Sequence, residues 1–94
     1  MFEIQVKSDG VVTLSGRLDA AQADHARMAL DAVRASATLD LTDLDYVSSA
    51  GLGVIVNLFK RLRDSGHSLK LTHLKPRIRS VFVYAGLDRV LSLE

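Results

Sequence analysis

The sequence predicts one domain of the α/β class, with a small, mixed, mostly parallel β-sheet and helices packed on it. The chain has 94 residues, which is enough for a single domain, and 48% of them are hydrophobic, which is enough for one core. Its first residues alternate apolar and polar side chains on both sides of an Asp-Gly pair, a pattern typical of a β-hairpin. Beyond the hairpin, helical segments alternate with short apolar strands, an order that requires right-handed crossovers between parallel strands.

The predicted elements follow one another in the order β-β-α-β-α-β-α-β, and together they make one domain over residues 1–94. The strands are placed at residues 2–6, 11–16, 38–41, 68–71 and, as a short strand or tail, 90–93. The helices are placed at residues 20 to about 35, at 49–65, and from 76 to about 85.

Residues at the ends of these helices support the boundaries. Asp19 fits the N-cap position of the first helix, because its carboxylate can accept from the first free N–H groups. Gly66 and Gly86 fit the positions just after a helix, where a left-handed residue is favoured. Pro76 fits the first turn of the third helix. The core face of that helix is predicted to consist of Ile78, Val81, Phe82 and Ala85.

Composition excludes several classes of function. The chain has no cysteine, and its three histidines are not spaced as a ligand set, so we expect no disulfide, no metal and no cofactor. A net charge of +1 argues against a nucleic-acid partner. The sequence contains neither a signal peptide nor an apolar run long enough to cross a bilayer, so we expect a cytoplasmic protein with no membrane insertion. We expect a monomer or a weak dimer.

Basic residues are concentrated in the second half of the chain. Residues 48–94 carry eight bases and three acids, whereas residues 1–47 carry four bases and eight acids. The excess lies in two groups, Lys60-Arg61-Arg63 and Lys75-Arg77-Arg79. Solvated helix faces explain these groups more simply than a surface for an acidic partner does, and we favour that interpretation.

Two glycines stand at the start of the second helix, where each costs roughly 1 kcal/mol relative to alanine. Close packing of the helix on the sheet would explain one of them. The alternative is that a partner backbone or a phosphate must approach Gly51 or Gly53. Both explanations stay open on the sequence alone. The helical angle of Gly53, on the arc with Asn57 and Lys60, predicts that it points outward.

Two serines precede these glycines. An N-cap explains one of Ser48 and Ser49, and leaves the other on the first turn. A hydroxyl there lies beside free backbone N–H groups and the positive end of the helix dipole, which suits a phosphoryl group. Phosphorylation would turn a neutral docking surface into one with about −1.5 to −2 charges, and Asp45 nearby would make that charge still less favourable at an interface.

The second helix also has an apolar arc of roughly 200°, wider than the stripe that core packing needs. A helix flanked by two others explains that width, and we favour this interpretation. Otherwise Val54 or Leu58 would offer an apolar contact to a partner.

Catalytic and nucleotide-binding motifs are not present in this segment. Gly51-x-Gly53 has Val56 where a dinucleotide-binding fingerprint needs its third glycine, and no Gly-Lys-Ser/Thr follows for a P-loop. Ser49 is not in a nucleophile elbow, and no His–Asp pair is recognisably placed to activate it. We therefore predict a binding protein and not an enzyme.

The same residues resemble a known family, the STAS domains. The likeness lies in GRLD at residues 16–19 and, after DLT at residues 40–42, in VSSAGLGVI at residues 47–55. It extends over essentially the whole chain and is nearest to the anti-sigma-factor antagonists. That resemblance implies Ser49 as the phosphoacceptor, an anti-sigma factor that is also a serine kinase as the partner, and a PP2C-type phosphatase that reverses the modification. The unmodified form would bind the anti-sigma factor and free its sigma factor.

The chain departs from many members at two positions. Ser48 replaces the aspartate that often precedes the acceptor, and Ala50 replaces a small hydroxyl residue. A carboxylate that assists the acceptor would have to come from Asp19, Asp43 or Asp45. Ser48 is a second candidate acceptor. The predicted partner-binding residues are Asp19, Asp45, Ser48, Ala50, Gly51, Leu52, Gly53 and Asn57. Two alternatives stay open: a STAS subunit of a lipid-transport ABC complex, and a STAS signalling scaffold that acts on a non-sigma partner.

Overall fold

A computed structural model describes all residues, 1–94, and shows a five-stranded sheet with helices packed on it. The strands are β1 (Phe2–Val6), β2 (Val11–Leu18), β3 (Ala37–Val47), β4 (Leu69–Thr72) and β5 (Ser92–Leu93). The helices are α1 (Ala23–Leu30), α2 (Ser49–Asp64) and α3 (Pro76–Tyr84), with short 3-10 turns at Ala20–Gln22 and Leu87–Arg89. The predicted order and class of the elements are confirmed.

The strands lie in the sheet in the order of the sequence, β1-β2-β3-β4-β5. Only β1 and β2 pair antiparallel, and every later pair is parallel. Because each right-handed crossover advances in the same direction across the sheet, all three helices lie on one face. The helices and that face enclose a single core of 22 buried hydrophobic residues.

The opposite face of the sheet is open and polar. In the first half of β2 and of β3 the buried residues alternate with residues that point away from the helices, as the pleat requires. A shallow depression on this open face is lined almost entirely by polar side chains, among them Glu3, Gln5, Thr13, Ser15 and Asp40. No helix has the length and apolar character needed to cross a membrane.

The first helix is shorter than predicted. Residues 20–35 were expected to form one helix, but Asp19 caps a 3-10 turn, where its Oδ1 accepts from the Gln22 N–H at 3.2 Å, and α1 ends at Leu30. The reason for the early end lies on another helix. The guanidinium of Arg61 donates to the carbonyls of Leu30 and Val33, at 2.8 and 2.7 Å, and so satisfies groups that a longer helix would have paired internally.

Strand β3 is longer than predicted, 11 residues instead of the four at 38–41. Register shifts between β2 and β3 break the period-2 alternation. The buried residues Leu41, Leu44 and Val47 are consequently three apart. A search of the sequence for alternating apolar and polar residues therefore misses the second half of this strand.

The last helix departs from its predicted core face at one position. Ile78 and Phe82 are buried and Val81 is half-buried, but Ala85 is exposed. Ala85 is the C-cap residue, one position beyond the last helical residue Tyr84, so it lies outside the packed part of α3. Gly66 and Gly86 have the predicted left-handed conformation, with φ of 79° and 75°.

Candidate functional site

Ser48 and Ser49 lie at the junction between β3 and α2, at the carboxyl end of the parallel strands. Ser48 has extended backbone angles and is the N-cap of α2: its Oγ accepts from the Gly51 N–H at 3.2 Å. Its own N–H donates to the carbonyl of Leu18 at 2.9 Å, which ties the start of α2 to the end of β2. Ser48 is therefore held on both sides and is half-buried.

Ser49 is the first residue of α2 and is exposed, as is Ala50 after it. The sequence left open which serine serves as the cap, and the structure assigns the cap to Ser48. The hydroxyl of Ser49 stands on the first turn of a 16-residue helix, near backbone N–H groups that have no partner within the helix. The helix dipole adds a partial positive charge at this end.

The two glycines of α2 have different surroundings. A Cβ on Gly51 would lie 2.7 Å from Leu18 Cγ, 2.8 Å from the Leu18 carbonyl oxygen and 3.0 Å from Val47 Cγ2. Close packing on the sheet thus explains Gly51, which is buried. A Cβ on Gly53 would meet no atom within 4 Å, so packing gives no reason for that glycine. Gly53 points outward, as its helical angle predicted.

Three of the predicted partner-binding residues, Ala50, Gly53 and Asn57, share an exposed strip along α2 with Ser49, the predicted phosphoacceptor. Their spacings of three and four residues put the four on neighbouring turns. We call this strip the α2 surface. Leu52 is half-buried against the core at its border, and Gly51 lies beneath it, so we leave Gly51 out of the surface.

The wide apolar arc of α2 faces the rest of the molecule. Val54 and Leu58 are 6% and 2% exposed, so neither offers an apolar contact to a partner. Both line the groove between α1 and α2. The favoured interpretation, a helix flanked by other elements, is consistent with this burial.

Two of the three predicted carboxylates, Asp19 and Asp45, are already engaged, whereas Asp43 is exposed and lines the depression on the open face of the sheet. Asp19 directly follows Leu18 and caps the 3-10 turn. Asp45 is exposed on β3 and forms an ion pair with the ammonium of Lys75. The hydrogen bond from Lys75, with the positive charges of Lys75, Arg77 and Arg17, holds the pKa of Asp45 below its usual value of 3.8. Asp45 is thus ionised at neutral pH and surrounded by bases.

Two residues near this site were not predicted from the sequence. The guanidinium of Arg17 lies over the ring of Tyr46, 4.3 Å from its centroid. The parallel register brings them together, because Arg17 pairs with Tyr46 one step before Leu18 pairs with Val47. Only knowledge of that shifted register would have found the pair, since the two residues are far apart in the chain.

Comparisons with known proteins agree with this architecture. A family model described as "Mlab, STAS domain" matches residues 2–93. BtrV of Bordetella bronchiseptica is 38% identical over 86 residues, which is 85% of this chain and 74% of BtrV. The anti-sigma-B factor antagonist of Bacillus subtilis is 33% identical over 93 residues, 96% of this chain and 85% of that protein.

A solved structure, that of the Bacillus anti-sigma factor antagonist SpoIIAA in its unphosphorylated form, superposes on this chain with a TM-score of 0.77. The match covers 100% of this chain and 88% of SpoIIAA at 19% identity. The two proteins therefore share the fold.

Proposed function

This chain belongs to the STAS domain family of anti-sigma factor antagonists, and from that premise we propose that it is a binding protein switched by phosphorylation of Ser49. Unmodified, it binds an anti-sigma factor through the α2 surface and so frees a sigma factor. Phosphorylated, it releases that partner. The anti-sigma factor is also the serine kinase, and a PP2C-type phosphatase restores the unmodified form, so the cycle takes place in the cytoplasm, where ATP is available.

The observation that carries this proposal is the division of roles between the two serines. Ser48 is committed to the N-cap of α2 and to the Leu18 carbonyl, whereas Ser49 is exposed on the first turn. A kinase needs a hydroxyl that it can reach, and Ser49 offers one without loss of the cap. Ser48, the second candidate acceptor, could be modified only by disturbing the hydrogen bond that begins the helix.

The position of Ser49 also suits the consequence of its modification. A phosphoryl group there would be stabilised within the free protein by the helix N-terminus. At an interface the same group would bring about −1.5 to −2 charges to a surface formed by alanine, glycine and asparagine. Burial of that charge without a partner is costly, so phosphorylation stabilises the free protein and weakens the complex.

The alternative functions are less well supported. Curated relatives from Bacillus subtilis, Listeria monocytogenes and Paenibacillus polymyxa are named as anti-sigma factor antagonists, so a lipid-transport subunit is not favoured. A scaffold acting on a non-sigma partner would use the same switch, and it differs from the proposal only in the identity of that partner.

The site of modification is tested by incubation of the protein with the anti-sigma factor of its own host and ATP, followed by peptide mass mapping. We expect one phosphate, on Ser49. The Ser48→Ala variant should still be modified and the Ser49→Ala variant should not. Phosphate found on Ser48 alone in the wild-type protein would contradict the residue assignment, and no phosphate on either serine would contradict the switch.

A further inference from the structure

We propose that Arg17, Tyr46, Lys75 and Arg77 form a second contact surface, which binds an acidic segment of the anti-sigma factor. We call these four residues the basic platform. The inference rests on the proposed function for the identity of the partner, but the platform itself is argued from the geometry and charge of this chain.

The platform lies at the carboxyl end of the parallel strands, where Arg17 and Tyr46 of the sheet meet Lys75 and Arg77 at the start of α3. Leu18 and Val47 are buried on the helix side, so the preceding pair, Arg17 and Tyr46, points to the opposite face. The stacking of the Arg17 guanidinium on the Tyr46 ring holds both side chains in place before any partner arrives. Arginine and tyrosine are the side chains that most often dominate the binding energy of protein interfaces.

Positive charge exceeds negative charge on this surface. Lys75 and Asp45 neutralise each other in their ion pair. Arg17 pairs with Tyr46, the residue after Asp45, and Arg77 stands two residues after Lys75 at the start of α3, yet neither arginine forms an ion pair of its own. Two exposed guanidinium groups therefore remain free to bind carboxylates, for which their geometry is suited.

Two of the other basic residues that the sequence singled out, Arg61 and Arg63, are already engaged. Arg61 caps α1, and Arg63 contacts Asp64 and the ring of Phe59. The favoured interpretation of the basic groups as solvated faces therefore does not describe Arg61. For Arg77 we now favour the alternative, a surface for an acidic partner.

The platform adjoins the α2 surface. The Leu18 carbonyl, one residue after Arg17, accepts from the Ser48 N–H, and Tyr46 precedes Ser48 by two residues. A partner docked on the start of α2 can therefore reach over the carboxyl end of β3 onto the platform. Exposed charges of this kind act mainly on the rate of association, because they attract the complementary surface before contact.

A protein segment fits the platform better than other anions do. The chain as a whole carries a net charge of only +1, and Asp45 stands among the bases, so an extended polyphosphate backbone would meet repulsion as well as attraction. Tyr46 is the only aromatic ring of the platform, and Arg17 already covers one of its faces, which leaves little for bases to stack on.

The first test locates the platform without the anti-sigma factor. The isotope-labelled protein is titrated with a hexaglutamate peptide and its amide resonances are followed by NMR. We expect the largest shifts at Arg17, Tyr46 and Arg77. Shifts that are instead largest around Lys60 or Arg34, or no shifts at all, would overturn the proposal. So would equal or larger shifts at the platform with a hexathymidylate strand or with phosphatidylglycerol vesicles, since the surface would then be a general anion site or a lipid site.

The second test asks whether the anti-sigma factor uses the platform. Arg77→Glu is compared with Arg34→Glu, which makes the same charge change between α1 and β3, at the opposite end of the sheet. We expect Arg77→Glu to lower the association rate constant about tenfold and to flatten its salt dependence, and Arg34→Glu to change it less than about twofold.

The outcomes separate this inference from the proposed function. If the wild-type protein binds the anti-sigma factor and Arg77→Glu binds equally fast, the platform is overturned and the function stands. If the wild-type protein does not bind the anti-sigma factor, the proposed function fails, and with it the identity given to the acidic segment. The peptide titration still decides whether the platform binds carboxylates.

Discussion

Ser48 and Ser49 have the same side chain and adjacent positions, but the backbone gives them different surroundings. Ser48 is the last residue with extended angles, so its hydroxyl turns back onto the Gly51 N–H. Ser49 is already helical and exposed. The sequence could predict that one serine caps the helix, because that needs only the residue type. It could not predict which one, because that depends on where the strand ends.

Removal of each hydroxyl should therefore have different effects on stability. Ser48→Ala should lower the free energy of unfolding by about 1 kcal/mol, the usual cost of a lost N-cap. Ser49→Ala should change it by less than about 0.5 kcal/mol, as expected for a surface substitution. Urea denaturation of the two variants measures both values. A larger loss for Ser49→Ala than for Ser48→Ala would mean that the cap is assigned to the wrong serine.

The two glycines of α2 allow a second comparison of single substitutions, in which the same change to alanine should have opposite effects on stability. Gly51→Ala should destabilise the fold by about 1–3 kcal/mol, because the added methyl overlaps Leu18 and the backbone there cannot give way cheaply. Gly53→Ala should stabilise it by up to about 1 kcal/mol, since the helix gains propensity and the methyl meets no atom.

The same pair tests the α2 surface when binding is measured beside stability. If a partner approaches Gly53, the Gly53→Ala protein should bind the anti-sigma factor more weakly although it melts later. A Gly53→Ala protein that binds as well as the wild type would remove this glycine from the surface. A thermal melt and a calorimetric titration on the same sample supply both readings.

At the scale of elements, the order of strands and helices was predictable and some of their ends were not. Caps and turns are local signals: Asp9-Gly10, Gly66 and Pro76 each mark a boundary within a few residues of where it lies. The end of α1 is different, because Arg61 caps it from 31 residues away in the sequence. The length of β3 also depends on residues far away in the sequence, because its register shifts arise from pairing with β2.

Arg61 should therefore contribute more to the free energy of unfolding than its exposed neighbours on α2 do. Arg61→Met keeps the aliphatic stem but removes the donors to the Leu30 and Val33 carbonyls, so we expect a loss of about 1–3 kcal/mol in the free energy of unfolding. Lys60→Met on the exposed side of the same helix is the control and should change it by less than about 0.5 kcal/mol. Equal unfolding midpoints for the two variants would show that the Arg61 contacts contribute nothing.

At the scale of the whole molecule, the topology keeps the core apart from the two proposed contact surfaces. Because all helices lie on one face, the core is enclosed between them and the sheet, and the opposite face is free. The α2 surface and the basic platform meet where the parallel strands end, so residues from β2, β3, α2 and the start of α3 are brought together. The sequence predicted the α2 part through the serines and glycines. It named Lys75 and Arg77 with an acidic partner as the less favoured alternative, but it missed Arg17 and Tyr46, which become neighbours only through the register of β2 and β3.

The central claim, that phosphorylation of Ser49 releases the partner, can be tested by one calorimetric comparison. The unmodified protein and the protein phosphorylated at Ser49 are each titrated into the anti-sigma factor of the host, with Ser49→Ala as the neutral control. We expect phosphorylation to weaken binding by about 1–3 kcal/mol, or roughly 5- to 150-fold, and Ser49→Ala to keep most of the affinity. Equal or tighter binding of the phosphorylated protein would contradict the switch.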